Sequence, residues 1–311
     1  MNPVYGFFKR FYEAHADKVS VPERLNQREF GYVSFKGVMK RHMCFTNAEE
    51  MRIFIRRAVP LHVYRSSAYY MHPAAPTGDK EWLGADLVFD IDADNLETEC
   101  RRKHDFNICQ RCGEAQPLDV DACRCGNKLS TISWVCGECV AEARRELLKL
   151  LTILEDDFGL SKDDFTIQFS GNRGYHLIVS NPEILELDSR FRQELVNYVM
   201  GVTTSKQLSN QITARIDAVV TTDVHRLIRL GNTLNGKTGL LAKAISYDAL
   251  LSFDPLRDAV ALPDEELRVY VRRSPRFSLA GNNFGPYRRQ VARLPAYAAA
   301  YLILRGLAEV R

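Results

Sequence analysis

The sequence predicts an α/β domain of mixed β-sheets flanked by helices, and three stretches predict it. Residues 85–94, Ala-Asp-Leu-Val-Phe-Asp-Ile-Asp-Ala-Asp, read as a strand of β-prone apolar residues running into a carboxylate cluster. Residues 141–158 carry Leu147, Leu148, Leu151 and Leu154 as an apolar stripe at helical spacing, closed by Gly159. Residues 165–179 read strand, tight turn, strand: Phe165–Phe169, then Ser170-Gly-Asn-Arg-Gly, then Tyr175–Val179. Half-buried strands beside an amphipathic helix call for stacked layers around one core. At 311 residues the chain could form one large domain over 1–311 or two ordinary ones.

The other elements follow in order. Val4, Phe7, Phe8, Phe11 and Tyr12 share one helical face. Residues 26–35 alternate as a strand, and residues 39–45 suit its hairpin partner, with Arg41 on the polar face. Asn47 is a candidate N-cap for a helix over 48–59, with acids in its first turn and arginines in its last, and Pro60 stops it. Leu61–Tyr64 lead to Ser66–Tyr70, then to a Pro/Gly-rich loop at 73–79. Residues 96–140 read as an insertion, 181–211 as a small helical excursion, and 211–220 as a strand carrying Asp217. The stretch 225–239 is basic and Gly-containing. Nine arginines follow from Arg268 onward, and an apolar helix is expected over 294–310, with Pro295 near its start.

Composition excludes some classes. The apolar fraction of 46% and charged fraction of 26% suit a globular protein with a core, not disorder. A net charge of +3 neither demands nor excludes a polyanionic partner. The first ten residues turn polar too early for a secretory signal, and no stretch approaches the roughly 18 apolar residues of a membrane span. A cytoplasmic location is therefore expected.

The chemistry is concentrated in four places. Asp90 and Asp92 point to one face of an extended strand and would chelate a hard divalent cation, Mg²⁺ or Mn²⁺; a polar turn with a capping Asp is the plain alternative. With Asp217 as a third carboxylate, two ions about 4 Å apart could serve in-line phosphoryl transfer. Seven of the eight cysteines crowd into 100–139, which in a reducing compartment is metal-ligand usage. A nested arrangement is favoured: Cys109, Cys112, Cys123 and Cys125 would close an inner zinc ribbon of about 105–135, and Cys100, His104, Cys136 and Cys139 an outer zinc site. One site plus spare thiols is the alternative. Cys44 stands apart as a small hydrophobe.

The turn Ser170-Gly-Asn-Arg-Gly-Tyr-His176 offers backbone amides, a hydroxyl and a forked guanidinium to an anion. His225-Arg-Leu-Ile-Arg-Leu-Gly-Asn-Thr-Leu-Asn-Gly-Lys-Thr-Gly239 offers Arg226, Arg229 and Lys237 as a second such wall. A tight hairpin and a solvated basic turn are the plain readings of these two. Taken together, carboxylates and basic turns point to nucleotidyl transfer.

In this order the motifs resemble the catalytic small subunit of archaeal and eukaryotic DNA primases. The matching residues are Arg28-Glu-Phe-Gly-Tyr, Ser67-Ala-Tyr-Tyr, Phe89-Asp-Ile-Asp, the Cys/His cluster, Ser170-Gly-x-Arg-Gly-x-His, Arg215-Ile-Asp, His225-Arg-Leu-Ile-Arg through Gly236-Lys-Thr-Gly, and Leu294-Pro-x-Tyr-Ala-Ala-x-Tyr-Leu-x-x-Arg-Gly. The length and the Gly-Lys-Thr-Gly-Leu context resemble archaeal members. The resemblance implies a primase-type catalytic domain with Asp90, Asp92 and Asp217 as its metal-binding triad. It implies that Ser170, Arg173, His176, Arg229 and Lys237, with Arg41 as a weaker candidate, contact nucleotide phosphates. It also implies a single-stranded DNA template, an RNA or DNA primer, nucleoside triphosphates and a primase large subunit as partners.

Asn235 stands where the family usually has His, and the inner ribbon is an addition to the family's single zinc site. Because the carboxylates lie outside 105–135, that segment is expected to be dispensable for chemistry. Three alternatives stand beside this reading: a primase-polymerase of repair or a mobile element, a non-catalytic zinc-ribbon nucleic-acid-binding protein, and a haloacid-dehalogenase-like phosphatase. The last expects Gly-Thr or Gly-Val after its second Asp, where this chain has Ala93-Asp94.

Overall fold

The computed structural model describes residues 3–109, 111–202 and 212–311. Helix α1 (Pro3–His15) buries the five expected apolar residues. Strands β1 (Phe30–Val33) and β2 (Met39–Met43) form the expected antiparallel hairpin. Helix α2 (Ala48–Ala58) starts at Asn47, whose Oδ1 accepts the Glu50 amide at 3.0 Å. Strand β3 (His62–Ser66) pairs with β1. Strands β4 (Ala68–Tyr70) and β5 (Trp82–Ala85) pair with each other, and β6 (Leu87–Asp92) is the carboxylate strand.

The cysteine-rich insertion holds α3 (Glu99–His104), β7 (Phe106–Cys109), β8 (Ala115–Gln116) and β9 (Leu129–Ile132). Helix α4 (Gly137–Asp156) begins before Ala141 because the Cys136 sulfur accepts the Cys139 amide at 3.4 Å and caps it. Its buried stripe is Leu147, Leu150, Leu151 and Leu154, and Leu148 is only partly covered. Then come β10 (Phe165–Phe169), β11 (Gly174–Val179), α5 (Ser189–Val199), α6 (Ala218–Thr222), β12 (Leu227–Arg229), β13 (Thr233–Leu234), β14 (Leu241–Ala242) and β15 (Ala244–Ile245). The remainder is α7 (Pro255–Asp258), β16 (Glu266–Ser274), β17 (Phe277–Leu279), β18 (Asn282–Phe284), β19 (Tyr287–Pro295), α8 (Ala296–Leu304) and β20 (Ala308–Val310).

Two four-stranded sheets organise the molecule, in the orders β12-β3-β1-β2 and β15-β10-β11-β6. Their strand pairs are antiparallel. Leu87, Phe89 and Ile91 are buried in the core with the α4 stripe, so the alternate residues of β6 face the other way. A third sheet, β19-β16-β20, packs against α8.

Two expectations need correction. Residues 212–216 are not a strand; Asp217 instead caps α6, its side chain accepting the Val219 and Val220 amides at 3.0 and 3.3 Å. The apolar helix covers 296–304 only; the chain then turns at Gly306, at positive φ, and pairs β20 with β16. The basic tail is largely the β16–β19 hairpin. Of the helical excursion, α5 is present, and residues 203–211 lie outside the described residues.

The insertion also reaches deeper into the core than its composition suggests. Trp134 is 1% exposed and packs edge-on against Phe277 and Tyr301 at 5.4 and 5.3 Å. Ile108, Ile132 and Val135 belong to the same core. Removing 105–135 would therefore strip core residues, although the ribbon also has exposed parts, among them Cys112, residues 117–119 and Cys125.

Candidate active site

Pairing places the carboxylates. In the β6–β11 register, Asp90 lies opposite His176, Asp92 opposite Gly174, and Val88 opposite Ile178. Opposed residues share a face, so Val88 and Ile178, with Val220 and Ile228, make an apolar floor beside the acids. Asp217 arrives from outside the sheet: its amide donates to the Asp90 carbonyl at 2.8 Å. Asp92 also caps a turn, its Oδ1 accepting the Asp94 amide at 2.9 Å. Gly174 is required here, because a Cβ would sit 2.1 Å from the Ile91 carbonyl oxygen.

Asp90, Asp92, Ser170, His176, Arg229, Asn235 and Lys237 line one cleft of about 200 Å³ between the two sheets. Arg226 and Tyr64 line it too. Arg41 is absent from its walls; it is bound by the buried Glu29 carboxylate at 3.0 and 3.2 Å. Arg173 is also turned away. It is fully buried, donates to Asp105 at 3.0 and 3.1 Å and to the Trp134 carbonyl at 3.0 Å, and pairs with Asp94.

The two basic turns are clasped together. Asn235 Nδ2 donates to the Ser170 carbonyl at 2.9 Å, and its Oδ1 accepts the Lys237 amide at 2.9 Å. A Cβ on Gly171 would come within 2.7 Å of Asn235 Cβ, and Gly171 has a positive φ of 76°. Asn235 thus fixes the distance between the turns through its amide group, which needs no charge.

Burial and mutual repulsion act together on the carboxylates. Burial, reinforced by Asp92 and Asp217, pushes the Asp90 carboxyl up to about 7. Burial also raises Asp92, against the pull of Arg173 and Lys237. Carboxylates packed where they resist ionisation, and offering only hard oxygen donors, fit a divalent cation such as Mg²⁺ or Mn²⁺. His176 is pushed down to about 3 by burial and nearby arginines, so it is neutral, with Nε2 at 3.6 Å from Asp90.

A stability prediction follows from Asp90. Its folded value lies above the unfolded one, so the fold favours the protonated form. The penalty is absent below about pH 4, grows as pH rises, and is complete above about pH 7. Asp90→Asn should therefore raise the stability of metal-free protein at pH 7.5 by on the order of 1–3 kcal/mol. The variant should have little effect at pH 4. Melting curves at both pH values, without added divalent cation, check this.

Three residues here were not assigned to the site from the sequence. His62 accepts at Nδ1 from Arg229 Nη1 at 2.6 Å and from the Gly236 amide at 3.2 Å, linking Arg229 to the turn that carries Lys237. Burial and the cations around it push it down to about 3, consistent with a neutral acceptor. Tyr64 lies under the Arg229 guanidinium, 5.0 Å from ring centre to Cζ. Arg305 lies over Tyr301 and Trp134 and donates to Asn172 of the phosphate turn at 3.4 Å. Its place in the closing Leu-x-x-Arg-Gly motif was visible, but its contact was not.

The cysteines group as the nested order requires. Cys100, His104, Cys136 and Cys139 converge, as do Cys109, Cys112, Cys123 and Cys125, each set with ligand atoms within 4.8 Å of one another. No disulfide joins any of the eight cysteines. Four convergent soft donors with no spare position fit structural zinc. His104 Nδ1 lies 2.7 Å from Asp105 Oδ1, which leaves Nε2 to face the sulfurs.

Residues 118–247 match the family model described as DNA primase small subunit. The chain is 35% identical to the DNA primase small subunit PriS of Cenarchaeum symbiosum (strain A), over 97% of this chain and 96% of that protein. It is 32% identical to the DNA primase small subunit PriS of Nitrosopumilus maritimus (strain SCM1), over 97% and 96%. Among solved structures, the polymerase domain of Mycobacterium tuberculosis ligase D in complex with DNA aligns over 80% of this chain and 82% of that chain, with a TM-score of 0.44 and 15% identity.

Proposed function

The chain belongs to the DNA primase small-subunit family, and from that premise we propose that it builds short primers on single-stranded DNA from nucleoside triphosphates, working with a primase large subunit. The observation that carries the site assignment is the placement of Asp90 and Asp92 in the cleft beside the clasped basic turns, with the Asp217 amide bonded to the Asp90 carbonyl. Asp90, Asp92 and Asp217 hold divalent cations. When bound, the cations supply hydroxyl activation and charge neutralisation for in-line phosphoryl transfer. Arg229 and Lys237 grip the triphosphate, with Ser170 and the neutral His176 beside them as hydrogen-bonding groups. Asn235 and His62 set the spacing of that grip. Arg173 acts at one remove, anchoring the phosphate turn through Asp94 and Asp105. The two Cys/His clusters hold structural zinc. No helix among the described residues is long and apolar enough to cross a membrane.

The test is primer synthesis on a single-stranded template with Mg²⁺ or Mn²⁺, with and without the large subunit. Template-dependent product is expected. A folded, zinc-loaded chain that makes none, even with the large subunit, removes the proposal.

His62 offers a finer test. His62→Ala should raise KM for the nucleotide roughly tenfold, the loss of about 1.4 kcal/mol from loosened phosphate contacts, with a smaller change in kcat. His62→Asn, whose Oδ1 can occupy the acceptor position, should recover most of it. A fall in kcat with KM unchanged would contradict the positioning role.

A further inference from the structure

A second recess, of about 360 Å³, lies between the cysteine-rich insertion and the C-terminal hairpin, away from the catalytic cleft. Lys103 and Phe106, at the α3–β7 junction, form one wall. Arg273, Ser274, Tyr287 and Arg288, at the end of β16 and the start of β19, form the other.

Arg273 and Arg288 are direct cross-strand partners. Like charges in that position repel. Two neighbouring arginines of the hairpin are relieved by acids: Arg272 pairs with Glu309 at 3.4 Å, and Arg289 with Glu114 at 3.0 Å. Arg273 and Arg288 have no carboxylate partner among the described residues. Both are exposed, and Arg273 leans over the Phe106 ring at 5.8 Å. The one acid lining the recess is Asp105, already committed to Arg173 and His104. Ser274 is 3% exposed, and its hydroxyl has no hydrogen-bond partner. Three cations gathered without a counter-charge, beside an orphaned hydroxyl and two half-buried aromatic rings, form a site that is complete only with an anion.

We propose that this recess binds phosphate groups of a single-stranded nucleic acid, with Arg273, Arg288 and Lys103 on the phosphates and Phe106 and Tyr287 offering faces to unpaired bases. The inference rests on the primase reading and adds a strand-binding site outside the catalytic cleft. A free nucleoside triphosphate carries the same phosphate chemistry and is the other source.

The test is binding of a labelled single-stranded oligonucleotide to the full chain across a salt series, beside binding of a nucleoside triphosphate. The variants are Arg273→Gln/Arg288→Gln and a charge-matched control, Arg145→Gln/Arg190→Gln, on exposed helical positions. The first should bind the oligonucleotide about tenfold more weakly than the control at 0.1 M salt, and its salt slope should fall by about 1.4, or roughly 0.7 per lost phosphate contact. Weakening confined to the triphosphate would keep the recess as a phosphate site and name the nucleotide as its source.

Arg288→Glu separates binding from folding. It turns the repulsive pair into an ion pair, so the melting temperature should hold or rise while oligonucleotide binding falls further. Oligonucleotide and triphosphate binding equal to the control's in both variants overturns the inference. Parent protein that binds the oligonucleotide through these arginines but never incorporates nucleotide would overturn the primase reading and leave the recess standing.

Discussion

Replacing Asp90 and Asp92 together by alanine should lower template-dependent incorporation by at least about a thousandfold, while single-stranded DNA binding stays within a few-fold of the parent. The magnitude follows from the chemistry. Cations at a phosphoryl-transfer site are worth several kcal/mol of charge stabilisation, and about 4 kcal/mol is three decades of rate. Binding should survive because both acids lie on the cleft face of β6, and the opposite face of that strand is the one built into the core. Removing two negative charges also makes the cleft more attractive to anions, so triphosphate affinity should not fall. The fold should hold as well, since burial and mutual repulsion work against the ionised Asp90. Asp90→Asn/Asp92→Asn, closer in shape, controls for packing. Equal incorporation by parent and variant would dismiss these aspartates as the catalytic pair. Oligonucleotide binding with no incorporation by either protein would favour a binding module over an enzyme.

Much of this site was legible in the sequence, and the reason is local. The strand Leu87–Asp92 alternates, so its period alone places both acids on one face. Cysteine spacing likewise predicts two groups of ligands, because short Cys-x-Cys and Cys-x2-Cys turns bring sulfurs together with little help from the rest of the chain. What failed depended on partners distant in sequence. Arg173 reads as a phosphate ligand from its turn, but Asp105, in the insertion, claims it. Arg41 reads as a free polar-face cation, but Glu29 and the hairpin register claim it. His62 carries no motif at all; it matters because β3 lies beside β12 and brings its imidazole to Arg229. Asp217 was found as a residue but placed on the wrong element. A capping Asp before Ala-Val-Val resembles a strand in composition, and only the bond to the Asp90 backbone reveals the site it joins.

The two cysteine clusters should respond unequally to loss of a ligand. The outer one is wired to the turn that carries Ser170 and Arg173. Cys139 is fully buried in the first turn of α4, His104 contacts Asp105, and Asp105 holds both Arg173 and the Trp134 amide, the latter at 2.7 Å. Arg173 in turn belongs to the loop that carries Ser170. Cys139→Ser should therefore cost several kcal/mol of the folding energy that zinc supplies, about 10 °C in melting temperature for a chain of this size, and depress incorporation with it. The inner cluster differs: Cys109 and Cys123 are buried and Cys112 and Cys125 exposed, and the side-chain hydrogen bonds of its sulfurs stay within residues 109–127. Cys123→Ser/Cys125→Ser should remove one zinc per chain by elemental analysis and leave extension of a preformed primer within about threefold, a change below 1 kcal/mol. Deleting the ribbon from 105 to 135 is the wrong experiment, since it takes Asp105 and Trp134 with it. A folded inner-site variant that has lost extension altogether would place the ribbon in the reaction and defeat this division. An outer-site variant that loses its zinc yet melts and extends like the parent would show that Asp105 holds Arg173 without the metal.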